Sequence, residues 1–395
     1  MSNKNIENIK GIKKGLIGIQ MLFVAFGATV LVPLLIGIDP SIALFTAGLG
    51  TLIFHLITKG KIPVFLGSSF VFIAPIIIST TSYGYAATLS GLIAAGIMFV
   101  IFSIIIRKKG INFIKKIFPP TVIGPVIMVI GLSLSTTAIS MASNNWIFAG
   151  ISLIIAICVS IFGKKTIKLL PIISGILLTY IIAIFFGNID FSIITSSKWI
   201  EIPKFIFPQF NWKAIILMLP VAIAPIIEHI GDMYAIGNAT GNNFIEKPGL
   251  KKTLLGDGLA TIFAGFLGGP PNTTYSEVTG AIIMTKLKDP SILRISAITA
   301  IIFSFIGKIS GFLQTIPDAI LGGIMILLYG MITNVGIKTL INNKINLDKT
   351  RNMIIIGVIL TIGVGGAIIN FGNFSLEGVG LASIIGIILN LILPK

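Results

Sequence analysis

Gly60-Lys-Ile-Pro63-Val-Phe-Leu-Gly67-Ser-Ser69-Phe70 and Gly268-Gly-Pro-Pro271-Asn-Thr-Thr-Tyr-Ser276-Glu277 decide the fold. In each, a proline lies six residues before a polar residue, Ser69 or Glu277, at the start of an apolar run. Between the proline and that run lies an extended stretch: Val64-Phe65-Leu66 in one, Asn272-Thr273-Thr274-Tyr275 in the other. The runs themselves have membrane length and apolarity, so these stretches fall at membrane depth. Extended backbone there has N–H and C=O groups that only protein or a polar cavity can satisfy. Pairing of the two stretches satisfies each with the other. Beyond them, half-helices starting near Ser69 and Ser276 turn free N–H groups and a positive dipole end inward.

The rest of the chain is membrane-like throughout. Of its 395 residues 55% are hydrophobic and only 11% charged, with a mean hydropathy of +1.03. A soluble chain of this length needs far more charge to cover its surface. Apolar runs fall near 15–38, 41–58, 63–80, 86–106, 118–140, 146–162, 166–186, 212–235, 251–269, 271–285, 290–313, 316–337, 352–371 and 376–393. Each is read as a crossing of about 30 Å of hydrocarbon, fourteen spans in all. The basic start, Met1 to Lys14, resembles the head of a signal peptide. The run after it is too long and lacks a small-residue cleavage site, so it reads as an uncleaved first span.

Charge tests this count. With the N-terminus cytoplasmic, only Lys198, Lys204, Lys213 and Lys308 of the 29 basic residues fall off the cytoplasmic loops and termini, as the positive-inside rule requires. The net charge of +16 is thus spent on topology. No basic stripe interleaved with aromatics marks a nucleic-acid partner. Trp146, Trp199 and Trp212 flank spans as an aromatic belt. The single cysteine, Cys158, reads as a packing residue, and His55 as interfacial.

The halves also match at Phe118-Pro119-Pro-Thr-Val-Ile-Gly124 and Ile316-Pro317-Asp-Ala-Ile-Leu-Gly322. Both matches are separated by about half the chain. A unit of seven spans is odd, so its second copy enters from the opposite side. The expected fold is an all-α polytopic membrane protein of 14 spans in a 7+7 inverted repeat, with spans 3 and 10 part strand and part half-helix. That is the architecture of many secondary transporters, with the solute site at the broken helices.

Three acidic residues stand out from the thirteen. Glu228 and Asp232 lie one turn apart on one helix face, and Glu277 opens the tenth half-helix. A carboxylate at mid-membrane costs at least roughly 2.5–3.5 kcal/mol, which makes function the default reading. Neighbouring carboxylates repel, so the deeper one takes up a proton more readily. Proton coupling through Glu228, Asp232 and Glu277 is therefore expected. His229 follows Glu228 at about 100° around the helix. Phosphate loops, metal-type His/Cys spacing and nucleophile–base pairs are absent from the sequence, which reads as a transporter with no cofactor and no metal. A channel is the weaker alternative, since paired carboxylates on interrupted helices suit an occluded site.

Gln20-Met-Leu-Phe-Val-Ala-Phe-Gly27-Ala28-Thr-Val-Leu-Val-Pro33, the segment 60–70, Glu228-His229-Ile230-Gly231 and Pro271-Asn-Thr-Thr-Tyr-Ser-Glu277-Val-Thr-Gly280-Ala-Ile-Ile-Met-Thr285-Lys286 resemble the nucleobase–ascorbate transporter (nucleobase:cation symporter) family. Within it they resemble the bacterial uracil permeases. The resemblance implies a core domain from residues 1–110 (spans 1–4) and 205–314 (spans 8–11). It implies a gate domain from 111–190 (spans 5–7) and 315–395 (spans 12–14). It also implies a homodimer in the bacterial inner membrane, both termini cytoplasmic, and an elevator-like movement of core against gate. By motif position Glu228 hydrogen-bonds a nucleobase ring, and Glu277 binds the base or holds the site together. Backbone amides of Phe70 and Ser276 meet its exocyclic oxygens, Ala28 and Tyr275 line the pocket, and Ser69, His229 and Thr279 support it. Three positions depart from the uracil permease pattern: Met21 and Asp232 stand where histidines are expected, and Val278 where an asparagine is. The resemblance therefore implies a proton-coupled uracil symporter, with Na⁺ an alternative to the proton. A xanthine or purine symporter, or an anion transporter, is the alternative on a similar scaffold.

Overall fold

The computed structural model describes residues 12–394 apart from 111–116, 165–166, 188, 286 and 372–373, and leaves the side chains at 276–277, 283–284 and 370–377 undescribed. Helices α1 (Ile12–Leu35) and α2 (Pro40–Ile57) come first, and then strand β1 (Leu66–Ser68). A 3₁₀ turn, Phe70–Phe72, leads into α3 (Ile73–Tyr83), followed by α4 (Tyr85–Lys109). Next come α5 (Pro120–Ser133), α6 (Ser135–Ser143), α7 (Trp146–Phe162), α8 (Pro171–Phe185) and the short α9 (Ser192–Ser196). The second half holds α10 (Trp212–Val221), α11 (Ile223–Thr240), α12 (Leu250–Phe266), β2 (Asn272–Thr274) and α13 (Ser276–Thr285). It closes with α14 (Pro290–Ser304), α15 (Gly307–Gln314), α16 (Asp318–Asn342), α17 (Thr350–Val364), β3 (Ile368–Phe371), β4 (Phe374–Glu377) and α18 (Gly378–Ile392).

Among the described residues, six helices or near-continuous helix pairs are long and apolar enough to cross a membrane: 12–35, 40–57, 85–109, 120–143, 212–240 and 318–342. Helices α14 and α15, bent by 82° at their break, make a seventh if taken as one span. The local sequence explains where helices start. Asp39, Asn145, Asn211 and Asp289 each accept from backbone amides of the first turn, and Pro40 and Pro290 occupy first-turn positions that need no donor. The tryptophans Trp146 and Trp212 follow two of these caps and are exposed, as interface anchors should be.

Packing sorts the helices into two sets. Helix α12 lies along α4 and α2, α14 along α2 and α1, and α10 along α4. Separately, α16 lies against α5, α6 and α7, while α17 and α18 pack on α5 and on each other. Hydrocarbon gives no hydrophobic drive between helices, so close approach by small residues must supply the attraction. Gly96 on α4 and Gly258 on α12 show this: a Cβ on either would come within 2.9 Å of the other's carbonyl oxygen.

Strands β1 and β2 pair antiparallel, with Leu66 opposite Thr274, Gly67 opposite Thr273 and Ser68 opposite Asn272. Of the extended stretches quoted above, Leu66 and Asn272 to Thr274 fall in this ribbon; the first strand lies further along than expected, taking in Gly67 and Ser68 in place of Val64 and Phe65. A second antiparallel pair, β3 with β4, lies where the sequence suggested the end of a helical run at 371. Helix α17 stops at Val364 instead, at Gly365 and Gly366. Cys158, expected to pack inside, faces outward from α7.

Candidate functional site

The ribbon is the scaffold of the site, and buried side chains hold it in place. Thr51 of α2 bonds both the amide and the carbonyl of Leu66. Ser68 donates to the Thr29 carbonyl of α1, at 3.1 Å. On the other strand Thr261 of α12 donates to the Asn272 backbone carbonyl, and the Asn272 side-chain Nδ2 donates to the carbonyls of Thr46 and Ala260. The amide of Ser69 donates to Pro271 O at 2.8 Å, extending the pairing by one bond. His55, which the sequence placed at the interface, is buried, and its Nε2 lies 2.8 Å from the Val64 carbonyl. It helps to satisfy the same extended segment.

Gly67 is required by an aromatic ring. Tyr275 crosses the ribbon with its hydroxyl donating to Ser68 O at 2.9 Å, and a Cβ at residue 67 would lie 2.4 Å from that ring. Tyr275 is thereby fixed on the wall of a cavity of about 420 Å³. Phe23, Val24 and Gly27 of α1, Phe70, Thr273, Thr274 and Glu228 share that wall. Ala281 and Gly280 of α13 also face it, and no atom lies within 4 Å of a Cβ built on Gly280. The opposite wall comes from the second set of helices: Ile127 and Ile130 of α5, residues 168–173 ahead of and opening α8, and Leu327 to Lys338 of α16. The cavity therefore lies between the two sets.

The expected site residues divide as follows. Glu228, Phe70 and Tyr275 meet at the cavity. Ala28 is buried, and the wall takes Gly27 from the adjacent position of α1. Asp232, one turn along α11 from Glu228, accepts a hydrogen bond from the Thr274 hydroxyl of β2. It thus couples α11 to the ribbon. Ser69 is buried beside the start of the 3₁₀ turn. The Thr279 amide donates to Tyr275 O at 3.2 Å, in the first turn of α13. Ser276 and Glu277 open α13, and their side chains lie outside the described residues.

His229 points away from the cavity into α12, where its Nδ1 lies 2.8 Å from Asp257 Oδ2. Both side chains are fully buried, and His229 Nε2 and Asp257 Oδ1 have no hydrogen-bond partner among the described residues. The Phe54 ring packs against His229 with its centroid 6.3 Å away. Asp257 is the intramembrane carboxylate that the sequence reading passed over. The signal was there: a lone acid in the middle of the run 251–269.

A helical membrane scaffold with interrupted helices meeting at a carboxylate-bearing central cavity defines a solute carrier. Residues 13–371 match the xanthine–uracil Permease family, and the chain belongs to that family, the nucleobase–ascorbate transporters. It is a membrane transporter and not an enzyme. It is 46% identical to the "Probable uracil permease" of Pasteurella multocida, covering 97% of this chain and 94% of that one. It is 42% identical to the uracil permease of Bacillus subtilis (95% and 92% covered) and 38% identical to that of Escherichia coli K12 (95% and 90% covered). Among solved structures, the transmembrane domain of the cyanobacterial bicarbonate transporter BicA superposes with a TM-score of 0.64 at 14% identity, covering 96% of each chain. Murine Solute Carrier 26 family member A9, an anion transporter in an inward-facing state, gives 0.73 at 11% identity, covering 98% of this chain and 69% of that one. At such identities the likeness is one of fold.

Proposed function

We propose that this chain imports a nucleobase, uracil first, in symport with protons. The observation that carries the reading is Glu228 on the wall of a central cavity shared with Phe70 and Tyr275. A carboxylate accepts from ring N–H groups, and the amides at the starts of the two half-helices, at Phe70 and Ser276, donate to the ring carbonyls. Names of relatives at 38–46% identity over nearly the whole chain support uracil as the base. Glu228, Asp232 and Glu277 are the proton-coupling groups in this reading, with Ser69, Thr279 and His229 in support and Ala28 beside the pocket.

The same reading assigns fourteen spans in two inverted repeats of seven. The antiparallel ribbon made by one broken helix from each half supports it. So does the pairing of α5 with α16, each entered through a proline. Core (1–110 and 205–314) and gate (111–190 and 315–395) correspond to the two sets of packed helices, and an elevator-like shift of one against the other moves the site between the faces. The protein works as a homodimer in the bacterial inner membrane with both termini in the cytoplasm. Lys168 and Lys338 line the cavity, and the charge distribution puts both on the cytoplasmic side in this reading, which supports an opening toward the cytoplasm.

A thermal-shift panel of nucleobases on the purified protein, at two pH values, tests the reading. A ligand that binds only the native state raises apparent stability. Uracil should give the largest shift, with a pH dependence if a proton binds with it. A larger shift with xanthine or another purine would transfer the assignment to a purine symporter.

A further inference from the structure

Among the described lining residues of the cavity, Glu228 is the only acid and Lys168 and Lys338 are the only cations. Lys338 lies one turn beyond Asn334 on α16, and both side chains line the cavity. Lys168 belongs to the turn Ile167–Leu169 that precedes α8. Neither lysine has a hydrogen-bond or ion-pair partner among the described residues. Beside Lys168, Pro171, Ile172 and Ile173 open α8 on the same wall, and no side chain caps that helix. Two unpaired ammonium groups next to uncapped first-turn amides raise the potential at this end of the cavity. None of these groups is used by a neutral pyrimidine held at Glu228. At about 420 Å³ the cavity falls within the roughly 300–1,000 Å³ of sites that enclose drug-sized ligands, which leaves room beyond one six-membered ring.

We propose that the lysine-lined end of the cavity is an anion subsite that takes the phosphate of a phosphorylated derivative of the transported base. The ring is held toward Glu228, and the phosphate lies between Lys168 and Lys338. The proposal rests on the nucleobase reading and on the cytoplasmic assignment of that end. A base delivered to the cytoplasm is retained when an activated ribose-phosphate donor transfers its sugar to the ring nitrogen. The new C–N bond forms as the bond from the anomeric carbon to the donor's diphosphate leaving group breaks, and the ring N–H proton is lost to solvent. Phosphoribosyl transfer is thus the class of reaction that consumes this product. The resulting nucleoside monophosphate returns to the open cavity and blocks it, so import slows as the phosphorylated pool fills. A phosphate between two ammonium groups is a charge-assisted contact that strengthens as salt is lowered.

Displacement of labelled uracil from the purified full-length protein measures the effect, with uridine and uridine monophosphate as competitors. The monophosphate should compete at a concentration at least about tenfold lower than uridine, equivalent to about 1.4 kcal/mol. That advantage should vanish at about 0.5 M salt and in the Lys168→Gln/Lys338→Gln variant, whose affinity for uracil should be unchanged. Equal competition by uridine and its monophosphate, or an advantage that survives the double substitution, overturns the proposal. A parallel thermal shift with ribose 5-phosphate reads the anion subsite without the base. If uracil fails to bind while ribose 5-phosphate stabilises the wild type and not the double variant, the base assignment falls and the anion subsite stands. If ribose 5-phosphate gives no lysine-dependent shift, the subsite falls alone.

Discussion

Gly67 and Glu228 show how single residues set this site. The Tyr275 ring occupies the space where a side chain at 67 would begin. Gly67→Ala must push the ring off the ribbon and break its bond to Ser68 O. Solute affinity is expected to fall about tenfold or more while the helices remain folded, read by a binding isotherm alongside circular dichroism; unchanged affinity would remove Tyr275 from the binding wall. Glu228 was legible as an unexplained intramembrane acid, because charge is costly there and must be accounted for. The choice of Gly27 over Ala28 was not legible, since neighbours on a helix differ by about 100° in direction and neither residue carries a polar signal. His229 follows Glu228 in sequence, and the rotation of about 100° read from the sequence turns it toward Asp257, whose lone charge is hidden in an otherwise ordinary apolar run.

At the scale of elements, the ties between helices bear most of the weight. The His229–Asp257 bond joins α11 to α12 with both side chains fully buried. Removing one partner of a buried pair leaves the other uncompensated and costs about 3–5 kcal/mol, whereas replacing both by apolar groups is often neutral. Asp257→Leu should therefore lower the melting temperature sharply, and Asp257→Leu combined with His229→Leu should recover much of it. A double variant as unstable as the single would mean the pair is not what couples these helices. At the membrane edge, Lys14 Nζ lies 2.6 Å from Asp289 Oδ2 and ties α1 to α14. Partial burial raises the Asp289 pKa, but the bonds from Lys14 and Ser291 outweigh it and hold the carboxyl below its usual range. A depressed carboxylate stabilises the fold above its unfolded pKa, and that contribution is lost as pH falls through the folded value. Asp289→Ala should thus cost stability at neutral pH and cost less as the pH falls through the lowered pKa of the folded carboxyl; a penalty independent of pH would assign the loss to other contacts. Elements also explain an off-pattern charge. Lys308 donates to the carbonyls of Ile194 and Thr195 at the end of α9, a favourable place for a cation at a helix C-terminus.

For the whole molecule, the two proline-led stretches were the most informative feature of the sequence, because extended backbone at membrane depth has few ways to be satisfied. Their mutual pairing follows from that constraint. The β3–β4 pair carried no such signal: Ile368-Ile369-Asn370-Phe371 reads equally well as the end of an apolar helix. Fold alone would leave the cargo open, since the solved structure of a murine anion transporter shares it. Beside Glu228 the charge suits a neutral ring with N–H donors and repels an anion placed against that wall. In the proposed mechanism Glu228 binds uracil and couples its movement to protons. Uptake of labelled uracil into proteoliposomes under an imposed proton gradient measures both. Saturable accumulation that collapses with an uncoupler, and falls by about 100-fold or more in Glu228→Gln, is the expected result. Accumulation by Glu228→Gln equal to that of the unaltered protein would contradict it.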